Sequence, residues 1–96
     1  MKIRWSRKAI SDLKSIRDYI AKDSPAAAQR VAARIKEATI RLTKFPHSGR
    51  PGRVPGSLEL VIPGTSYIAA YRVQGDHVEI AAVLHGRQNW PETFRK

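Results

Sequence analysis

The sequence contains no cysteine among its 96 residues. That absence excludes a disulfide framework, thiolate zinc sites and cysteine nucleophiles, and it fits a reducing compartment. No apolar run approaches the roughly 18 residues of a membrane span. The opening Met1-Lys2-Ile3-Arg4-Trp5 has no apolar stretch of the kind that heads an exported chain, so the expectation is a cytoplasmic protein with no membrane partner. Phosphate-cradling Gly-x-x-x-x-Gly-Lys loops, His-Glu-x-x-His helices and Gly-x-Ser-x-Gly elbows are also missing. Metal-dependent and nucleotide-hydrolysing chemistry therefore falls away, and no cofactor is expected. Acidic residues are scarce, 8 Asp and Glu against 18 Lys and Arg, a net charge of +10 at pH 7. Such an imbalance favours a polyanion or an acidic protein over a neutral small molecule. The length suits one small core and excludes a large multi-site enzyme, so residues 1–96 are read as a single domain.

Glycine is absent before residue 45, and all six glycines and five of the six prolines follow it. Residues 1–44 also carry 12 Lys and Arg against 4 Asp and Glu, whereas residues 45–96 carry 6 against 4. A basic, helix-compatible half thus precedes a turn-rich half. Lys2 to Trp5 suits a short strand. Ser6 is placed to cap a helix running to about Lys22, on which Ala9, Leu13, Ile16 and Ile20 form one apolar face. Ser24-Pro25 then opens a second helix, because serine accepts from free first-turn amides and proline at the first position loses no hydrogen bond. There Ala28, Val31, Ile35, Ala38, Leu42 and Phe45 make an apolar seam, with Arg30, Arg34, Arg41 and Lys44 on another face.

Residues 46–57 hold neither periodicity and read as a Gly/Pro-rich loop bearing Arg50 and Arg53. Three strands follow, Leu58–Ile62, Tyr67–Val73 and His77–Leu84, joined by Pro63-Gly64 and Gln74-Gly75-Asp76 turns into an antiparallel meander. The fold class is α+β in the order β-α-α-β-β-β, with the helical hairpin packed on one face of a small, mostly antiparallel sheet. Strict alternation places Leu58, Leu60, Ile62, Tyr71, Ala82 and Leu84 toward the helices. Val61, Ile68, Ala70 and Val83 go to the opposite face with Glu59 and Arg72. That outer face is too apolar for water alone, and either the tail with Trp90 and Phe94 or a partner segment is expected to cover it.

His85-Gly86-Arg87 stands where the last strand reaches the surface. A histidine there can move a proton and an arginine can hold a phosphate, and the same histidine serves equally as a structural residue bonded to a loop. Arg50 and Arg53 can grip a phosphate backbone or an acidic surface.

The run Glu59-Leu60-Val61-Ile62-Pro63-Gly64, Tyr67, Ala70-Tyr71-Arg72-Val73, Val78-Glu79-Ile80 and Val83-Leu84-His85-Gly86-Arg87-Gln88-Asn89-Trp90-Pro91 resembles the RelE/ParE toxins of type II toxin–antitoxin pairs, and the ParE branch more than the RelE branch. The resemblance implies a small basic toxin neutralised by a cognate acidic antitoxin that wraps it. Val61, Ile68, Ala70, Arg72 and Val83 are then the expected antitoxin contacts. It implies one of two targets, DNA gyrase for ParE-like members or messenger RNA on the ribosome for RelE-like ones. Ile68 stands where the RNA-cutting branch carries an arginine, and Gly86 follows His85 where a related nuclease branch has a tyrosine. The expected function is therefore gyrase poisoning without a catalytic residue, with His85, Arg87, Trp90, Arg50 and Arg53 as target contacts. A ribosome-dependent endoribonuclease is the alternative. Leu58 and Ala81-Ala82, where relatives often have arginine, leave open a degenerate toxin that only binds its antitoxin.

Overall fold

A computed structural model describes residues 1–86. Five strands and two helices follow one another as β1 (Lys2–Trp5), α1 (Arg7–Ala21), α2 (Pro25–Ile40), β2 (Arg50–Pro51), β3 (Leu58–Val61), β4 (Tyr67–Gln74) and β5 (His77–His85). One sheet holds them all in the order β1-β5-β4-β3-β2. Among the described residues the β1–β5 pair is parallel and the other three pairs are antiparallel. The α+β class and the helical hairpin are as the sequence predicts, with the two-residue β2 as an addition. Among the described residues no helix is long and apolar enough to cross a membrane.

Both helices begin where the caps require. The Ser6 hydroxyl accepts the Ala9 N–H at 3.0 Å, and the Ser24 hydroxyl accepts the Ala27 N–H at 3.1 Å, with Pro25 at the first position of α2. Ala9 and Leu13 of α1 and Ala32, Ile35 and Ala38 of α2 pack with Ile62, Ala69, Tyr71, Val78 and Ile80 to form the main core. The α2 seam does not continue through Phe45. The chain tightens into a 3-10 turn at Arg41–Thr43, which shortens the period to three residues. Leu42 still enters the core, but Phe45 is left 63% exposed.

The β4–β5 ladder pairs Tyr71 with Ile80 and Ala70 with Ala82, so Ala81 is an extra residue without a partner. This bulge reverses the phase of the strand beyond it. Val83 therefore packs in the helix-facing core, and Ala82 and Leu84 lie on the outer face, the opposite of the assignment made by strict alternation. The outer face also has a cover that the sequence did not suggest. Val54, from the loop between β2 and β3, is buried against Ile68, Ala70, Ala82 and Leu84.

β1 pairs with β5 only as far as Ile80. Past that point α1 completes the edge: the Ser6 hydroxyl donates to the Ala81 carbonyl at 2.9 Å, and the Val83 N–H donates to Asp12 Oδ2 at 3.0 Å. Polar backbone groups stranded by the end of β1 are thus satisfied by side chains of the helix.

Candidate functional site

The loop over residues 46–57 is fixed by two local contacts. Gly49 donates its N–H to the Tyr71 hydroxyl at 2.9 Å, and a Cβ at position 49 would lie 2.6 Å from that oxygen and 2.7 Å from the Glu59 carbonyl. Only glycine fits so close a backbone approach. Burial raises the Tyr71 pKa above the ordinary tyrosine value, opposed by its bonds to Gly49 and Ser48.

This anchoring sets Arg50 opposite Glu59 in the β2–β3 ladder. Arg50 Nε lies 3.0 Å from Glu59 Oε1, and Arg53 Nε lies 3.5 Å from Oε2. The carboxylate is 4% exposed, whereas the arginine side chains are 60% and 40% exposed. A buried negative charge thus holds two guanidinium groups at the surface, both turned toward it through Nε. Arg53 also donates through Nη2 to the Gly86 carbonyl at 3.2 Å, which ties the loop to the end of β5. His85, at that same end, sets its ring edge-on against Tyr67 with centroids 5.8 Å apart. Of the expected target contacts, Arg50 and Arg53 therefore meet at Glu59, and Arg53 alone is tied to the end of β5 that carries His85. Arg87 and Trp90 lie outside the described residues, as does Phe94.

The five expected antitoxin contacts are dispersed. Ile68 and Ala70 lie under Val54, and Val83 is in the helix-facing core. Arg72 is half-buried and stands opposite Glu79 in the β4–β5 register. Val61, 49% exposed, is the one fully at the surface.

Glu59 is the participant that sequence reasoning left aside. Its signal was present in Leu58-Glu59-Leu60, a lone carboxylate on a strand that follows a loop with two arginines. As a chemical site the cluster holds two cations in place at the surface. Glu59 is committed to both arginines, which removes it as a free general base. Among the described residues no three His, Asp or Glu side chains converge as a metal set.

The model of the ParE toxin of the type II toxin–antitoxin system parDE matches residues 3–90. The chain belongs to the RelE/ParE toxin family. It is 47% identical over 93 residues to the candidate toxin Y4kP of Sinorhizobium fredii, covering 97% of this chain and 96% of that one. Toxin RelE2 of Caulobacter vibrioides is 38% identical over 81 residues, covering 84% and 90%. Among solved structures, a chain of the chromosomal ParDE toxin–antitoxin system from P. aeruginosa superposes with a TM-score of 0.77 at 31% identity, covering 86% of this chain and 92% of that one. These matches run through β1, both helices and the meander, so this RelE/ParE toxin shares the family's whole sheet-and-hairpin frame. The Arg50–Glu59–Arg53 cluster sits on β2, β3 and the loop between them in that frame.

Proposed function

We propose that this toxin inhibits growth by binding DNA gyrase and trapping it on cleaved DNA, and that a cognate acidic antitoxin holds it inactive in the cytoplasm. The observation that carries the gyrase reading is the state of the outer sheet face at Ile68. An RNA-cutting relative needs a cation at that point of the central strand to stabilise charge at phosphorus. Here the position is an isoleucine, 3% exposed, under Val54. The nearby carboxylate, Glu59, is held by Arg50 and Arg53 and is not free to act as a base. A binding role asks only for exposed cations at fixed positions, and Glu59 holds Arg50 and Arg53 in that way, with Arg53 bonded to Gly86 next to His85. Arg87 and Trp90, outside the described residues, are the remaining proposed target contacts. The antitoxin partner is supported by the +10 net charge and by the likeness to a ParDE toxin–antitoxin chain.

Similarity to a toxin named RelE2 keeps ribosome-dependent cleavage of messenger RNA as the second reading. The test adds purified toxin, with and without antitoxin, to purified gyrase and relaxed plasmid, and follows supercoiling and trapped double-strand cleavage. Antitoxin-reversible inhibition is expected. Unchanged supercoiling and no trapped cleavage at large molar excess refute the reading for that gyrase, and cleavage of ribosome-bound message in a parallel assay then selects the nuclease. Silence in both assays leaves a chain that only binds its antitoxin.

A further inference from the structure

Arg30, Arg34 and Arg41, the basic row on α2, line one open groove of about 480 Å³ between α2 and Pro63. A second cavity of about 500 Å³ shares Ala38, Arg41 and Pro63 with the first and continues along β3 past Leu60 and Val61. Among the described residues no carboxylate lies within ion-pair distance of any of the three arginines, although Glu37 lines the same groove. Arg34 is held in place, donating through Nη1 to the Pro63 carbonyl at 3.3 Å. Its guanidinium also lies so close to Gly64 that a Cβ there would collide with it. Three cations thus face an open groove with apolar walls, without a carboxylate partner among the described residues.

The second observation concerns the backbone beside that groove. β2 covers β3 only at Leu58 and Glu59. Ile62 donates its N–H to the Tyr67 carbonyl, so in an antiparallel ladder Ile62 and Leu60 bond inward to β4, and Val61 turns its N–H and C=O outward. Val61 therefore presents an unpaired donor and acceptor at an exposed sheet edge, the template on which an extended peptide adds as a strand.

We propose that this edge and the arginine groove together receive an extended acidic segment of the antitoxin, which pairs with Val61 and sets carboxylates against Arg34 and Arg41. The proposal rests on the antitoxin reading above and names the surface and conformation it would use. A nucleic-acid backbone is the weaker match. It asks for cations alone, whereas the walls here are Ala33, Ala38, Leu60 and Pro63, and the edge offers peptide hydrogen bonds that a phosphate chain has no use for.

The experiment compares hydrogen exchange of the toxin alone and bound to the purified protein encoded by the adjoining short acidic reading frame, together with titrations of variants. Slowed exchange at the Val61 amide is expected in the complex. Val61→Pro removes the outward N–H without touching the β4 ladder, as edge prolines do. It should bind at least ~10-fold more weakly through the lost peptide hydrogen bond, and so should the double variant Arg34→Glu/Arg41→Glu, since like charges facing each other are strongly unfavourable. Lys14→Glu/Arg17→Glu, on α1, serves as the charge control and should change affinity less than ~3-fold. Tight binding with the Val61 amide still exchanging freely and the arginine variant unaffected overturns the proposal while sparing the antitoxin reading. So does an arginine variant that loses duplex DNA and keeps the antitoxin. Failure of the unaltered toxin to bind at all overturns both. If Val61→Pro does not fold, as judged by circular dichroism, the exchange pattern and the arginine variant decide.

Discussion

Replacing Asp12 with alanine removes the contact by which α1 closes the edge of β5 beyond the bulge. The Val83 N–H donates to Asp12 Oδ2 at 3.0 Å, and Val83 is buried, so the truncated side chain leaves a donor with no substitute. A hydrogen bond to a charged acceptor is worth about 1.5–3 kcal/mol. The accompanying Lys8–Asp12 pair at 2.8 Å is partly exposed, and an i,i+4 pair of that kind adds only about 0.3–0.5 kcal/mol. The expected loss is therefore about 2–3 kcal/mol, a large share of the ~5–15 kcal/mol that holds a typical domain folded. In a domain of this size it corresponds to a fall in Tm on the order of 10–20 °C. Urea unfolding followed by far-ultraviolet circular dichroism reads the loss as a lower midpoint at unchanged slope. Lys8→Ala should cost no more than about 0.5 kcal/mol, and Asp12→Asn, which keeps an acceptor without the charge, should fall between. An Asp12→Ala variant within ~0.5 kcal/mol of the parent, or a Lys8→Ala variant equally damaged, would refute the reasoning, because the helix would then not be satisfying the strand.

Alkaline pH should expose Tyr71. Its folded pKa is raised, so below the unfolded value of 10.0 both states keep the proton. As pH climbs past that value the unfolded chain ionises first, and stability falls until the folded hydroxyl ionises as well. Tyr71→Phe should flatten this alkaline decline while costing about 1–3 kcal/mol at neutral pH through the unpaired Gly49 N–H, both readable from urea midpoints across pH. Gly64→Ala should lower Tm, because the residue sits at φ +73° and its Cβ would displace the Arg34 guanidinium. The left-handed backbone alone costs about 1 kcal/mol for a non-glycine residue. Ser24→Ala should cost about 1 kcal/mol through the lost cap, and Ser6→Ala more, because that hydroxyl accepts from Ala9 and also donates to Ala81; thermal melts of the two variants rank them.

Features written in local sequence were legible. Ser6, Ser24 and Pro25 mark helix starts by chemistry that acts within one turn, and Gly64 and Gly75 mark turns by their positive φ. What escaped were features set at longer range. The bulge at Ala81 lies in Ile80-Ala81-Ala82-Val83, where every residue is apolar and both faces are buried, so alternation carries no polar residue to show that the phase reverses. Phe45 fits the α2 period on paper and leaves it only because the 3-10 turn at Arg41–Thr43 changes the period. At the site, Arg50 and Arg53 were legible as loop cations, but their carboxylate was not. Glu59 is nine residues from Arg50, and their pairing depends on β2 folding back along β3. Val54 as a cover for the outer face escaped for the same reason, since a single valine in a Gly/Pro-rich loop carries no periodic signal.

The parallel pairing of β1 with β5 joins the first strand of the chain to the last described one, and Ser6 reaches Ala81 across 75 positions of sequence. The last described strand is thus an inner strand of the sheet, between β1 and β4. Without residues 77–85, β1 has no neighbour, β4 loses one side, and the hairpin of α1 and α2 has half a floor. Loop closure of that length must come before the contacts that repay it, so during synthesis the core closes only when β5 becomes available. A fragment ending before β5 is then expected to be an unfolded chain rather than a weakened toxin. Harmful activity would therefore be withheld from truncated products by topology alone, before any antitoxin is needed.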